Sequence, residues 1–286
     1  AVVTASLLLS LLLAAPSPSP APASAKPTLF LVGDSTVRNG NGDGANGQWG
    51  WGEPLAAYFD ADKVDMRNRA IGGRSSRTFE TEGRWADVLA AVKPGDFVII
   101  QFGHNDVGER FKGNRPRATL PGIGEETEDG VVEMTGKAET VHTYGWYLRK
   151  YVRGAKAKGA TPIVCSPVPR KIWKDGRIVL ASEDYGKWAA EVAQAEGVGF
   201  VDLNGIIARR YDALGPGKVE ALFADEHTHT SAAGAEINAA CVVTGLESLG
   251  LPSLPTLLSA KARDLSACTG SPLTAPIGPR TPPPPP

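Results

Sequence analysis

The stretch Thr28-Leu-Phe-Leu-Val-Gly33-Asp34-Ser35-Thr36-Val37 decides how the chain is read. Its first six residues form a short apolar and β-branched run without polar alternation, as in a strand buried on both faces of a parallel sheet. The run leads directly into Gly-Asp-Ser, where Asp and Ser bond the backbone and Gly takes positive φ in a turn. Runs of the same kind recur at residues 63–68, 96–102, 161–166 and 199–203. Helical patterns fill the connections at 54–59, 84–92, 137–158 and 182–196. The third of these sets Val141, Leu148, Tyr151, Val152 and Ala155 along one stripe, as a helix packed on a sheet requires. Strand alternating with helix predicts an α/β protein with a central parallel sheet of about five strands, covered on both sides. Such sheets bind ligands beyond the carboxyl ends of their strands.

Residues immediately after the strands are therefore the candidates for chemistry. The first strand is followed by Gly33-Asp34-Ser35-Thr36-Val37 and the second by the segment from Asn68 through Gly73, Arg74 and Ser75. Gly103-His104-Asn105-Asp106 follows the third, and Asp225-Glu226-His227-Thr228-His229-Thr230-Ser231 precedes a helical pattern at 232–249. A lone Gly-Asp-Ser is usually only a turn. Four such clusters at one sheet edge fit the needs of acyl transfer: a hydroxyl, an imidazole that takes its proton, and a carboxylate that holds the imidazole. Ser35 supplies the hydroxyl and its own N–H. Gly73 offers a second N–H and the Asn105 amide a third for the developing oxyanion. His229 is the expected base, and its carboxylate lies a few residues earlier in the same loop.

The rest of the sequence bounds the answer. With 30 Lys+Arg against 31 Asp+Glu the formal net charge is -1, which excludes binding of nucleic acid by bulk phosphate neutralisation. Of 23 prolines, five lie in residues 1–27 and eight in 271–286. Residues 1–15 are almost wholly apolar, too short to cross a bilayer, and precede a Pro/Ser run ending in Ala23-Ser24-Ala25. Residues 1–25 thus read as a signal peptide without its basic start, so the expectation is a secreted chain free of the membrane once processed. The expected catalytic domain is 26–270, with 271–286 a proline-rich tail or linker. The three cysteines lack metal-ligand spacing; Cys165 reads as a buried thiol, and Cys241 with Cys268 as a candidate pair.

GDSTV, then NxAxxGRS, then GHND, then an acidic residue before THTS resemble the four blocks of the SGNH (GDSL-type) hydrolases, and within them the rhamnogalacturonan acetylesterases. The agreement runs from about Thr28 to Leu249, and GRSSR and HTHTSAAGA extend it. The resemblance implies a three-layer, flavodoxin-like α/β/α fold and a secreted serine esterase without cofactor or metal. It would remove acetyl groups from rhamnogalacturonan or related plant cell-wall polysaccharide, and is expected to act as a monomer. Acetylated xylan or small acyl esters are the alternative substrates, and a carbohydrate-binding module without turnover is the reading from another class. The resemblance assigns Ser35 as nucleophile, Ser35, Gly73 and Asn105 as oxyanion donors, and His229 as base.

One position departs from the pattern. The family's acid stands three residues before the histidine, where this chain has Glu226, with Asp225 one step earlier. Glu226 is the favoured orienting acid and Asp225 the alternative. His227 reads as a surface or structural histidine, and His104 and Asp106 as groups holding their loop. Arg74, Arg77 and Arg84 are candidate contacts for galacturonate carboxylates, Arg74 foremost. Trp49 and Trp51 are candidate sugar platforms. Residues 107–136 form a long connection, expected to build one wall of a polysaccharide cleft.

Overall fold

A computed structural model describes residues 26–180 and 184–267. The apolar leader, the proline tail and the proposed partner Cys268 lie outside the described residues. In chain order the strands are β1 (Thr28–Gly33), β2 (Asp65–Asn68), β3 (Phe97–Gln101), β4 (Thr127–Val132), β5 (Lys137–His142), β6 (Thr161–Cys165), β7 (Trp173–Lys174), β8 (Arg177–Ile178) and β9 (Gly199–Val201). The helices are α1 (Gly52–Leu55), α2 (Ser76–Thr81), α3 (Arg84–Ala91), α4 (Tyr144–Ala157), α5 (Tyr185–Glu196), α6 (Leu203–Leu214), α7 (Pro216–Glu220), α8 (Ala232–Glu247) and α9 (Ala260–Ala267).

Five strands form the central sheet in the order β2-β1-β3-β6-β9, all parallel. Alternation along each strand divides its side chains between two cores. Leu29, Leu31, Ile99, Ile163 and Val201 face one side, packed with Leu55 of α1, Ile207 of α6 and Val242 of α8. Phe30, Val32, Val98, Ile100 and Val164 face the other, against Phe79, Val88, Leu148 and Val192 of α2 to α5. Each such side chain contributes roughly 1.5–3 kcal/mol on burial. The side-chain N-caps Ser75, Thr143, Asp202 and Ser231 add about 1 kcal/mol each. Burial therefore sets the layers and the caps set where helices begin.

Three expectations about elements change. Residues 137–142 open a strand rather than a helix, because β5 pairs antiparallel with β4, Thr127 opposite His142 and Val132 opposite Lys137. The helix starts only at Tyr144, after the Thr143 side chain accepts the Trp146 N–H as its cap. The connection 107–136 is correspondingly not all loop, since it contributes β4. Residues 54–59 divide between the end of α1 and a 3-10 turn at Ala56–Tyr58.

The sheet order reverses direction at β1: its neighbours are β2, which follows it, and β3, which lies on the other side. A crevice opens at the carboxyl ends of such neighbours. Gly33 pairs with Gln101 there, and a β-carbon on Gly33 would stand 2.7 Å from the Gln101 carbonyl oxygen. Glycine lets the two strands close up directly beneath Ser35.

Candidate active site

Ser35 follows β1 in a turn built by Asp34. The Asp34 carbonyl accepts the N–H groups of Val37 and Arg38 at 3.1 and 3.0 Å. Its carboxylate accepts the Thr36 amide and hydroxyl, both at 2.8 Å. Gln101 donates to the same Thr36 hydroxyl and accepts from Trp51 Nε1 at 2.9 Å. Burial would raise the fully enclosed Asp34 carboxyl, but His104 and Thr36 outweigh it and hold the group below the usual carboxylate range. A satisfied buried network thus fixes the turn carrying Ser35.

Across the cleft, Ser35 Oγ stands 2.9 Å from His229 Nε2, and His229 Nδ1 stands 2.5 Å from Asp225 Oδ2. An ionised carboxylate only accepts, so Nδ1 carries the proton and Nε2 accepts from the serine hydroxyl. Asp225 Oδ1 also accepts the backbone N–H groups of His227, Thr228 and His229. Partial burial pushes the Asp225 carboxyl up, whereas bonds from His229 and Thr228 pull harder and leave it below the usual range.

The carboxylate at the histidine is therefore Asp225, and the preference for Glu226 is corrected. Asp is short enough to turn back onto its own following amides, winding the loop so that the fourth residue on meets the free oxygen. Glu226 is exposed at the next position. His227 points elsewhere, its Nδ1 2.7 Å from Thr228 Oγ1. The loop is tied at both ends, by Ala224 N–H to the His229 carbonyl and by Trp49 N–H to the Thr230 carbonyl, each 2.8 Å.

Gly73 and Asn105 complete the group. Gly73 has φ +77°, a conformation that favours glycine. Among the described residues neither the Ser35 nor the Gly73 amide meets a protein acceptor. Asn105 Nδ2 donates to the Arg74 carbonyl at 3.0 Å, which leaves its second N–H to face the cleft. Arg74 Nη1 donates at 3.0 Å to the Gly72 carbonyl; that carbonyl and the Gly73 N–H belong to one peptide group. Arg74 thus braces both donors, and Glu82 at 3.0 Å holds Arg74. Ser35, Gly73, Arg74, Asn105 and His229 all line one cleft of about 1350 Å³.

The other candidates take other roles. Trp51 is 1% exposed in the core beneath the site, so it offers no sugar platform. Trp49 also stays out of the cleft lining; its indole covers Gly44, where a β-carbon would stand 2.4 Å from Nε1. Arg77 is spoken for by Glu139 at 2.6 Å and by the carbonyls of Arg110 and Ala118 at 2.8 Å, and Arg84 by Glu82 at 2.7 Å. His104 lies between Asp34 Oδ2 at 3.3 Å and the Val168 carbonyl at 2.8 Å. Asp106 accepts from the Ser76 amide and hydroxyl, and complete burial raises its carboxyl to about 7. Sequence reasoning missed Thr36, in the turn after β1, and Gln101, whose only signal is polarity at the end of the apolar β3, and the pair Arg115 and Arg117, which also line the cleft.

Comparison with known proteins agrees with this architecture. The sequence model of the GDSL-like Lipase/Acylhydrolase family matches residues 31–237. The chain is 35% identical over 210 residues to the rhamnogalacturonan acetylesterase of Emericella nidulans, across 73% of this chain and 80% of that one. It is 32% identical over 235 residues to YesY of Bacillus subtilis, a probable rhamnogalacturonan acetylesterase, across 80% and 97%. Among solved structures, the Bacillus subtilis protein YXIM superimposes with a TM-score of 0.64 at 27% identity, over 80% of this chain and 58% of that one. Fold and relatives together define a carboxylic ester hydrolase on the SGNH α/β framework. The chain belongs to the GDSL-like lipase/acylhydrolase family, with curated rhamnogalacturonan acetylesterases among its relatives.

Proposed function

We propose that the protein is a serine carbohydrate esterase that removes O-acetyl groups from a rhamnogalacturonan or pectin-type polysaccharide. The observation that carries it is the continuous chain Asp225–His229–Ser35 at the mouth of an open cleft. The substrate rests on the curated relatives named rhamnogalacturonan acetylesterase, and a role outside the cell on the apolar leader in the sequence.

Ser35 Oγ attacks the acetyl carbonyl carbon while His229 Nε2 takes its proton, and Asp225 stabilises the imidazolium that results. The carbonyl oxygen gains negative charge facing the amides of Ser35 and Gly73 and the free N–H of Asn105. As the tetrahedral species collapses, the imidazolium protonates the departing sugar oxygen and leaves acetyl-Ser35. A water, activated by the same histidine, then releases acetate and restores the serine.

The test is acetate release from acetylated rhamnogalacturonan and acetylated xylan by wild type and Ser35→Ala. The reading expects release from rhamnogalacturonan and a loss of at least ~10³-fold in the variant. Preference for xylan would move the substrate assignment, and equal rates for the two proteins would remove the nucleophile.

A further inference from the structure

We propose that Arg115 and Arg117 form a carboxylate-binding subsite beside the oxyanion hole, which makes the enzyme selective for acetyl groups on or next to an unesterified hexuronate. This rests on the esterase reading above. The cleft is electrostatically uneven: seven of its lining side chains are Arg or Lys and two are Glu, in a chain whose net charge is -1. Three of those arginines are already matched, Arg38 by Glu53, Arg74 by Glu82 and Arg77 by Glu139. Arg115 and Arg117 have no carboxylate within 4.0 Å among the described residues.

Lys137 and Arg170 also lack a carboxylate partner among the described residues, but it is Arg115 and Arg117 that converge, on Gly73. A β-carbon placed on Gly73 would stand 3.7 Å from Arg117 Nη1 and 4.0 Å from Arg115 Nη2. Arg117 Nη1 donates to the Gly73 carbonyl at 3.0 Å, and its backbone N–H to the Arg115 carbonyl at 2.9 Å. Pro116 between them restricts the backbone and so presets the pair. Two guanidinium groups facing the same point repel. Burial, and then the charge of Arg115, pull Arg117 below its ordinary range, against the pull of the enclosed Asp34 and Asp106. An anion between the two forks would relieve that repulsion and take charge-assisted hydrogen bonds from both. Gly73 follows Gly72, whose β-carbon position is 3.7 Å from Ser35 Cβ. An anion held there therefore sits within about one sugar ring of the reacting ester.

A uronate carboxylate fits because it is a planar acceptor fixed to the ring that carries or adjoins the acetyl group. Methyl esterification removes its charge and leaves the ring in place. The decisive quantity is therefore the ratio of kcat/KM for acetylated oligogalacturonate as the free acid to that for its carboxyl methyl ester. Wild type should favour the acid by about tenfold or more, the size expected for charge-assisted hydrogen bonds. In the Arg115→Gln/Arg117→Gln variant the ratio should fall towards one. Arg115→Gln alone should lower it part of the way; that exposed side chain makes no protein hydrogen bond among the described residues, so its loss leaves the fold intact. A wild-type ratio near one, or a double variant that keeps the wild-type ratio, overturns the proposal.

Binding supplies an arm independent of turnover. Calorimetric titration of Ser35→Ala with unacetylated oligogalacturonate should show Kd weakened about tenfold or more on adding both Gln substitutions. An unchanged Kd also overturns the proposal. A wild type that releases no acetate, but whose Ser35→Ala form binds through these arginines, refutes the esterase reading and not the subsite.

Discussion

Asp225 does two things with one carboxylate: Oδ1 gathers three backbone N–H groups and winds the loop, while Oδ2 meets His229 Nδ1. Asp225→Asn should therefore lower kcat on p-nitrophenyl acetate by about 10³- to 10⁴-fold, because an amide favours the wrong imidazole tautomer. Glu226→Gln should stay within about threefold of wild type, since the side chain is exposed beyond the loop. The reverse ranking in steady-state rates would return the role to Glu226. Arg74 invites a separate expectation. It braces the Gly72–Gly73 peptide with its side chain and Asn105 with its carbonyl. Arg74→Ala should reduce kcat on the same neutral ester by on the order of tenfold with KM little changed, as loosened oxyanion donors predict. A change confined to KM on charged polymer would mark Arg74 as a substrate contact instead. The choice between Asp225 and Glu226 was open in the sequence because both reach an imidazole on paper. What separates them is that Asp alone is short enough to cap its own turn.

At the level of elements, the inner strands β1, β3 and β6 were legible because each is a dense apolar run buried on both faces, whereas the edge strand β2 is mixed in polarity and half-exposed. The hairpin β4–β5 was not legible. Its residues are half exposed and mixed in polarity, and tertiary contacts such as those of Arg77 with Glu139 and Arg110 with Glu128 hold it in place. Arg77 projects from α2, 1% exposed, and joins Glu139 of β5 to the carbonyls of Arg110 and Ala118. Arg77→Met strands those acceptors, so chemical denaturation should show a loss of about 3 kcal/mol. A loss below about 1 kcal/mol would mean the hairpin is held by other contacts. The candidate indole platforms failed for a related reason. A Trp beside glycines reads equally as a sugar surface or as filler, and the packing of Trp51 against Gln101 decides for filler.

For the molecule as a whole, the site sits over charge that the fold has enclosed. Asp106 is fully buried beneath the cleft, with its carboxyl raised from 3.8 to about 7. Folding then takes up a proton between about pH 4 and 7, so stability is fullest below that window, declines as pH rises through it and levels off above. The decline should approach on the order of 1 kcal/mol per pH unit. Asp106→Asn should lack that component, so denaturant titrations at several pH values should show the wild-type advantage shrinking towards pH 7. Parallel pH profiles for the two proteins would contradict it. The same framework carries the central claim, that this sheet edge presents Ser35 as an activated nucleophile. Labelling with a fluorophosphonate followed by peptide mapping tests it most directly. The account predicts one adduct per chain, on Ser35, forming in step with loss of esterase activity, much slower in Asp225→Asn and absent in Ser35→Ala. Inactivation with the adduct on another residue, or full activity with Ser35 modified, would contradict it.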